Sequence, residues 1–291
     1  MHSYLRAIGF SKYKTRKQLE SIYSSTLRSP NRKMITTISI DTSLIQFEKD
    51  FGDSFGLTLI GEYGIDGELS IEHYYPYIKA SSYMEYDRIY IEKQTDKESY
   101  AGVCEDLRLG VSLIFYLQNI SDYAKSQWFN YSNKNFSKIR FSALSTDGVI
   151  LLGIKKSKFQ RIGDVLDRRF RDDLMTSYKK GDKDALDYIT QNEMLVYESI
   201  SERVKKEDLL SIIETSIMPY GFECDHYMVV GNIISVQEEK NTITDETIYN
   251  LLIETYDILI NVGINSVDLQ GEPKEGRRFR GEIWLQGHVK I

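Results

Sequence analysis

Cysteine, proline, histidine and long apolar runs are all scarce in this chain of 291 residues, which carries 2 Cys, 4 Pro, 4 His and 2 Trp. Cys104 and Cys224 stand far apart with no CxxC between them. That excludes a disulfide-scaffold fold and makes reduced thiols the simpler account. A zinc centre needs four nitrogen or sulfur ligands at close spacing, and two Cys with His2, His73, His226 and His288 scattered along the chain do not supply it. We therefore expect no metal and no cofactor. No stretch approaches the roughly 18 consecutive apolar residues of a membrane helix. The P-loop, dinucleotide-binding, nucleophile-elbow and HExxH patterns are all missing, so none of those chemistries is signalled. A basic excess is missing too: 37 Lys and Arg against 43 Asp and Glu give a net charge of −6. That argues against a nucleic-acid coat, which must release counterions to bind.

What remains is an ordinary globular composition, 41% hydrophobic and 27% charged. Its length is sufficient to bury a core without covalent staples. Charge is unevenly spread. Residues 1–33 carry eight Lys and Arg against Glu20 alone, and basic residues again dominate 111–180, whereas 34–110 and 181–291 are acidic. Attraction between such blocks within the fold is the plainer reading, a partner-binding patch the other. Tyrosine is abundant, 21 residues, with Tyr63, Tyr74, Tyr75, Tyr77, Tyr83, Tyr86, Tyr90 and Tyr100 crowded together. Aromatic ladders of this kind stabilise cross-strand pairs.

Periodicity places an amphipathic helix over 14–28, ended by Pro30. Alternation then predicts strands on either side of Asp66-Gly67, a strong hairpin signal, and further strands over 86–93 and 109–117. A second Asp-Gly hairpin is expected at Asp147-Gly148. Residues 158–204 carry a four-residue apolar step (Ile162, Leu166, Phe170, Leu174, Tyr178) that predicts a helical hairpin. Residues 209–218 fit strand or helix. Cys224, His226, Met228, Val230, Ile234 and Val236 alternate as the core face of a long strand. The stripe Ile248, Leu251, Leu252, Thr255, Leu259, Val262 after Thr242 predicts a helix ended by Gly263. The expected class is α+β: an N-terminal helix plus antiparallel sheet over 1–155, then a domain over 156–291. That second domain comprises the hairpin 158–204 and a β-β-α-β-β unit over 207–291.

The last strand is the most informative. Phe279, Gly281, Ile283, Leu285, Gly287 and Val289 make an apolar face, and Arg278, Arg280, Glu282, Trp284, Gln286 and His288 the opposite one, with Arg277 just outside. Guanidinium groups offer planar forks for carboxylate or phosphate, and an indole offers a stacking plate. Arg277, Arg278, Arg280, Trp284, Gln286 and His288 are thus the candidate ligand-binding residues, the other reading being cross-strand charge pairs on a solvated sheet face with Trp284 packed under a helix. Cys224 and His226 are secondary candidates, since a thiol and an imidazole two apart on a strand only approximate a nucleophile pair.

Several segments taken together, Met1–Ser11, Tyr100–Cys104 into Gly110–Asn119, Met218–Gly221, and Gly276–Gly281 with Trp284–Gly287, resemble an uncharacterised family of cytoplasmic proteins from anaerobic Gram-positive bacteria, a domain of unknown function. The resemblance implies a bacterial origin and a cytosolic home, and it carries over no catalytic residue. The leading expectation is a non-catalytic ligand-binding or protein-interaction module, its partner an anionic small molecule or a protein, with no membrane. An enzyme acting on a phosphorylated or carboxylated small molecule is the alternative, with His226 or His288 as base. RNA binding through the basic N-terminal arm and Arg168, Arg169 and Arg171 is the second alternative.

Overall fold

A computed structural model describes residues 2–64, 66–94, 98–106, 111–128, 136–154, 170, 173–174, 177, 181–182, 184, 188 and 212–291. The chain forms two compact units, one made of Met1–Leu152 with Thr215–Ile291, the other of Gly153–Glu214. The C-terminal strands therefore complete the N-terminal sheet, where the sequence predicts a division at 155/156. The helical hairpin expected over 158–204 and the arginines 168, 169 and 171 lie almost wholly outside the described residues.

The architecture is mostly β, not α+β. A four-stranded antiparallel meander comprises β1 (Arg32–Thr37), β2 (Ser43–Asp50), β3 (Phe55–Tyr63) and β4 (Leu69–Ile78) in sequence order. The β3–β4 connection holds Gly67 at φ +75°, where glycine carries no Cβ penalty. Helix α1 (Arg16–Arg28) is opened by a Thr15–Gln18 capping box and packs on β2 and β3. Tyrosines of β4 tie the meander down: Tyr75 donates its hydroxyl to the Gln118 carbonyl at 2.6 Å and Tyr77 to Asp50 at 2.6 Å.

The larger sheet contains β5 (Met84–Lys93), β6 (Tyr100–Asp106), β7 (Val111–Leu117), β8 (Phe136–Leu151), β9 (Ser216–Pro219), β10 (His226–Lys240), β11 (Thr247–Thr255), β12 (Ile258–Asn265), β13 (Leu269–Gln270) and β14 (Arg278–Val289). Its pairings close twice. β8–β14–β10–β11–β12 returns to β8, and β8–β5–β6–β7–β14 returns to β8 as well. The long antiparallel β8/β14 ribbon is shared by both five-stranded circuits. Closure leaves these strands few free edges, the feature that makes open sheets prone to wrong pairing. Helix α2 (Ile120–Trp128) follows β7 and packs on β1 and β2.

Three local expectations fail for identifiable reasons. The helix predicted after Thr242 is the hairpin β11–β12, turning at Tyr256 and Asp257, both at positive φ (49° and 61°). Such a turn suits a two-residue hairpin, but Tyr-Asp is not its usual signature. The run Leu251-Leu252-Ile253 is apolar on both faces and so fits either period, and the β-branched residues decide for strand. Asp147-Gly148 is no turn: β8 runs straight through it. A Cβ on Gly148 would lie 2.5 Å from the Phe279 ring, so the glycine serves close ring packing. In β10 Tyr227, Val229 and Ile233 are buried, and of the expected face Val230 is buried too, whereas Ile234 is bulged and 45% exposed. Apart from Val230, the expected core face is therefore one residue out of register. The basic N-terminal arm is not free either. Residues Ser3–Ile8 form a 3₁₀ helix with Tyr4, Leu5, Ala7 and Ile8 buried, and Arg6 makes a two-point ion pair with Asp268.

Candidate functional site

β14 keeps its two-residue repeat, and Phe279, Ile283, Leu285 and Val289 are buried as expected. The opposite face is covered as well. Trp284 is 6% exposed; its indole N–H donates to Asp225 Oδ2 at 2.8 Å. Its ring is packed by His2 at 4.8 Å, Tyr116 at 5.2 Å and Tyr4 at 5.5 Å between centroids. Gln286 is fully buried, donating to the Pro76 carbonyl at 2.9 Å and accepting from Gln118 at 2.7 Å. Arg278 is buried and donates to the Leu152 carbonyl at 3.0 Å. Arg277 is tied to the preceding turn through the Glu272 carbonyl at 2.7 Å, and Arg280 is exposed. The structure thus disperses the expected row. β4 and the N-terminal 3₁₀ helix lie over it, leaving neither a continuous guanidinium clamp nor an open stacking plate.

Cys224 is an exposed free thiol in the turn before β10, so it does not share a strand face with His226. His226 Nδ1 lies 2.6 Å from Glu223 Oε2. The ligand atoms of Glu223, Asp225 and His226 fall within 4.8 Å of one another. Glu223 faces His226 Nδ1 and Asp225 accepts from Trp284, while His226 Nε2 is buried without a hydrogen-bond partner. Burial still holds the Asp225 carboxyl above the ordinary aspartate range, against the pull of the Trp284 hydrogen bond. We assign no metal here.

His288 is the expected residue that opens onto a cavity. The space measures about 220 Å³ and is bounded by strands β1 to β4, by β8 and by the segment leading into α2. That is below the roughly 300–1,000 Å³ of sites for drug-sized molecules, so an occupant is small. Across the ladder from His288 stands Arg140. Its guanidinium lies over the Tyr83 ring, 4.6 Å from the centroid, and its Nε is buried with no hydrogen-bond partner. Arg140 makes no ion pair among the described residues. Arg32 enters from β1, and Glu48 and Asp122 supply negative charge. Lys79 is committed to Asp50 at 2.8 Å.

Burial, with Arg140 and Arg32 nearby, brings the His288 pKa down to about 4, Asp122 opposing. The imidazole is therefore neutral at pH 7. Burial pushes the Glu48 carboxyl up, against Arg32 and a hydrogen bond from Gln46 at 2.7 Å. Sequence reading missed Arg140 and Arg32. The available signal is a lone guanidinium between Ile139 and Phe141 in an apolar strand, and Arg32 reads in the sequence only as part of a basic arm.

Fold and site together define a β-rich protein with two strand circuits on one ribbon and a small polar cavity at the ribbon's end. The chain belongs to the family described as "Domain of unknown function, E. rectale Gene description (DUF3881)", whose model matches residues 5–287. Neither the curated proteins nor the solved structures contain a match to it. Among the described residues, no helix is long and apolar enough to cross a membrane.

Proposed function

We propose that this chain is a non-catalytic binding protein for a small anion, a carboxylate or a phosphate, taken up in the cavity beside Arg140, Arg32 and His288. The observation that carries this reading is Arg140, a partly buried guanidinium with an unused donor at the wall of a half-open cavity. Desolvated guanidinium groups are ordinarily paired, and a planar oxyanion is the partner that fits their fork. The neutral His288 adds a hydrogen-bond donor or acceptor without competing charge. A base with a pKa of about 4 is weak at neutral pH, which favours binding over proton abstraction. A cytoplasmic location belongs to the same reading, supported by the resemblance and by a sequence with two widely spaced cysteines and no CxxC.

The test is a thermal-shift screen of inorganic phosphate and small mono- and dicarboxylates on the wild type and on Arg140→Gln. Arg140→Gln gives up only the stacking on Tyr83, so the variant's melting temperature falls by no more than a few degrees. A stabilising anion shifts the wild type alone. Equal shifts in both proteins, or no shift with any anion, refute the reading.

A further inference from the structure

A second concavity lies near the far end of α2, and it has the opposite electrostatic character. It is a groove of about 610 Å³, walled by the rings of Tyr100, Tyr123 and Trp128. Tyr100 and Tyr123 meet edge to face at 5.3 Å, and Trp128 stands 44% exposed at the rim. Glu62 and Glu98 enter the same space, with Lys93 as the cation beside them. The charges do not balance. Lys93 is bonded to Glu98, which also accepts from the Tyr100 hydroxyl at 2.5 Å. Glu72 approaches from behind and accepts the Glu98 backbone N–H at 3.2 Å. The Glu62 side chain makes no hydrogen bond or ion pair among the described residues. Burial and the repulsion of Glu72 and Glu98 raise its proton affinity, with Lys93 opposing. One ammonium thus serves three carboxylates, and the carboxylate left over faces a groove whose walls are aromatic.

We infer that this groove binds an organic cation, an alkylammonium whose charged head pairs with Glu62 and whose apolar body lies against Trp128, Tyr100 and Tyr123. An inorganic cation would satisfy the carboxylate but gain little from the rings. An alkylammonium gains from both, because desolvated cations are attracted to aromatic faces and its carbons cover apolar surface. The site shares no residue with the anion cavity, so either proposal stands if the other falls.

The chain has two tryptophans, and Trp284 is buried, so rim binding is read from Trp128 emission. The full chain is titrated with 1,4-diaminobutane and with tetramethylammonium, sodium acetate serving as the ionic-strength control, and calorimetry measures the same Kd. Either cation is expected to change the emission saturably, the change being absent in Trp128→Phe. Glu62→Gln weakens binding about tenfold or more, the loss expected for one hydrogen bond to a charged group. No saturable signal and no heat with either cation overturns the inference. So does a Kd that Glu62→Gln leaves unchanged, or a change that sodium acetate reproduces.

Discussion

Replacing Trp284 by Phe keeps a flat ring in the stack with His2, Tyr4 and Tyr116 and removes a single donor, the indole N–H held by Asp225 at 2.8 Å. A hydrogen bond to a charged group is worth about 1.5–3 kcal/mol, and the smaller ring forfeits about 1 kcal/mol of buried area. The expected cost at pH 7 is therefore about 3 kcal/mol, or about 6–12 °C in Tm for a unit of this size. Asp225 makes that cost depend on pH. Its folded pKa is raised, so the charged carboxylate weakens the fold once pH climbs above the unfolded value of 3.8. The Trp284 bond limits that penalty. As pH falls through the folded pKa, Asp225 becomes protonated in both proteins and the gap narrows toward the ring term. Urea unfolding of both proteins across this range measures the gap, and the same substitution in an Asp225→Asn background measures the coupling directly. A cost that is equal at every pH and in both backgrounds would refute the assignment of Asp225 as the acceptor. No cost at all would show an indole standing free.

Two histidines set a second pH dependence. His2 and His288 both have pKa values brought from 6.5 down to about 4, chiefly by burial. Between those values the unfolded chain binds more protons, so stability is complete above about pH 6.5 and falls with acid. Each group contributes on the order of 3 kcal/mol by pH 4. Unfolding free energies from pH 7 downward check the loss, and imidazole proton signals that titrate near 6.5 for either residue would contradict it. Gly148→Ala is expected to cost about 1–3 kcal/mol, because the new methyl meets the Phe279 ring and Ile264 Cδ1 at 2.8 Å or less. Phe279→Leu in the same chain should lower that penalty. A neutral Gly148→Ala by thermal melting would argue against the close ring packing.

The strands around Asp66-Gly67 and the strand 278–289 are legible in the sequence because alternation is produced by neighbours two residues apart. The same rule misleads at 226–236 and 248–262, where apolar residues occupy both faces. There Val229 against Val230, or Leu251 against Leu252, offers two registers of nearly equal merit, and only the facing strand chooses between them. The candidate site was less legible still. His288 was identified by its chemistry, whereas Arg140 and Arg32 acquire meaning only when β1 and β8 bound the same space. The expected row of Arg278, Trp284 and Gln286 has the right chemistry for a ligand, and internal partners use it.

By itself the sequence determined the small repeating unit: period-two stretches, a capped first helix, an acidic balance and the absence of known catalytic signatures. Each of those depends on residues a few positions apart. The tertiary structure alone decided that β8 and β14 close two circuits, that Pro76 and Asp225 take up the polar face of the last strand, and that Arg140 keeps an unused donor beside a cavity. Solvent exposure and charge pairing are set by which distant segments arrive to cover a surface. Here those segments lie some 60 to 280 residues away along the chain.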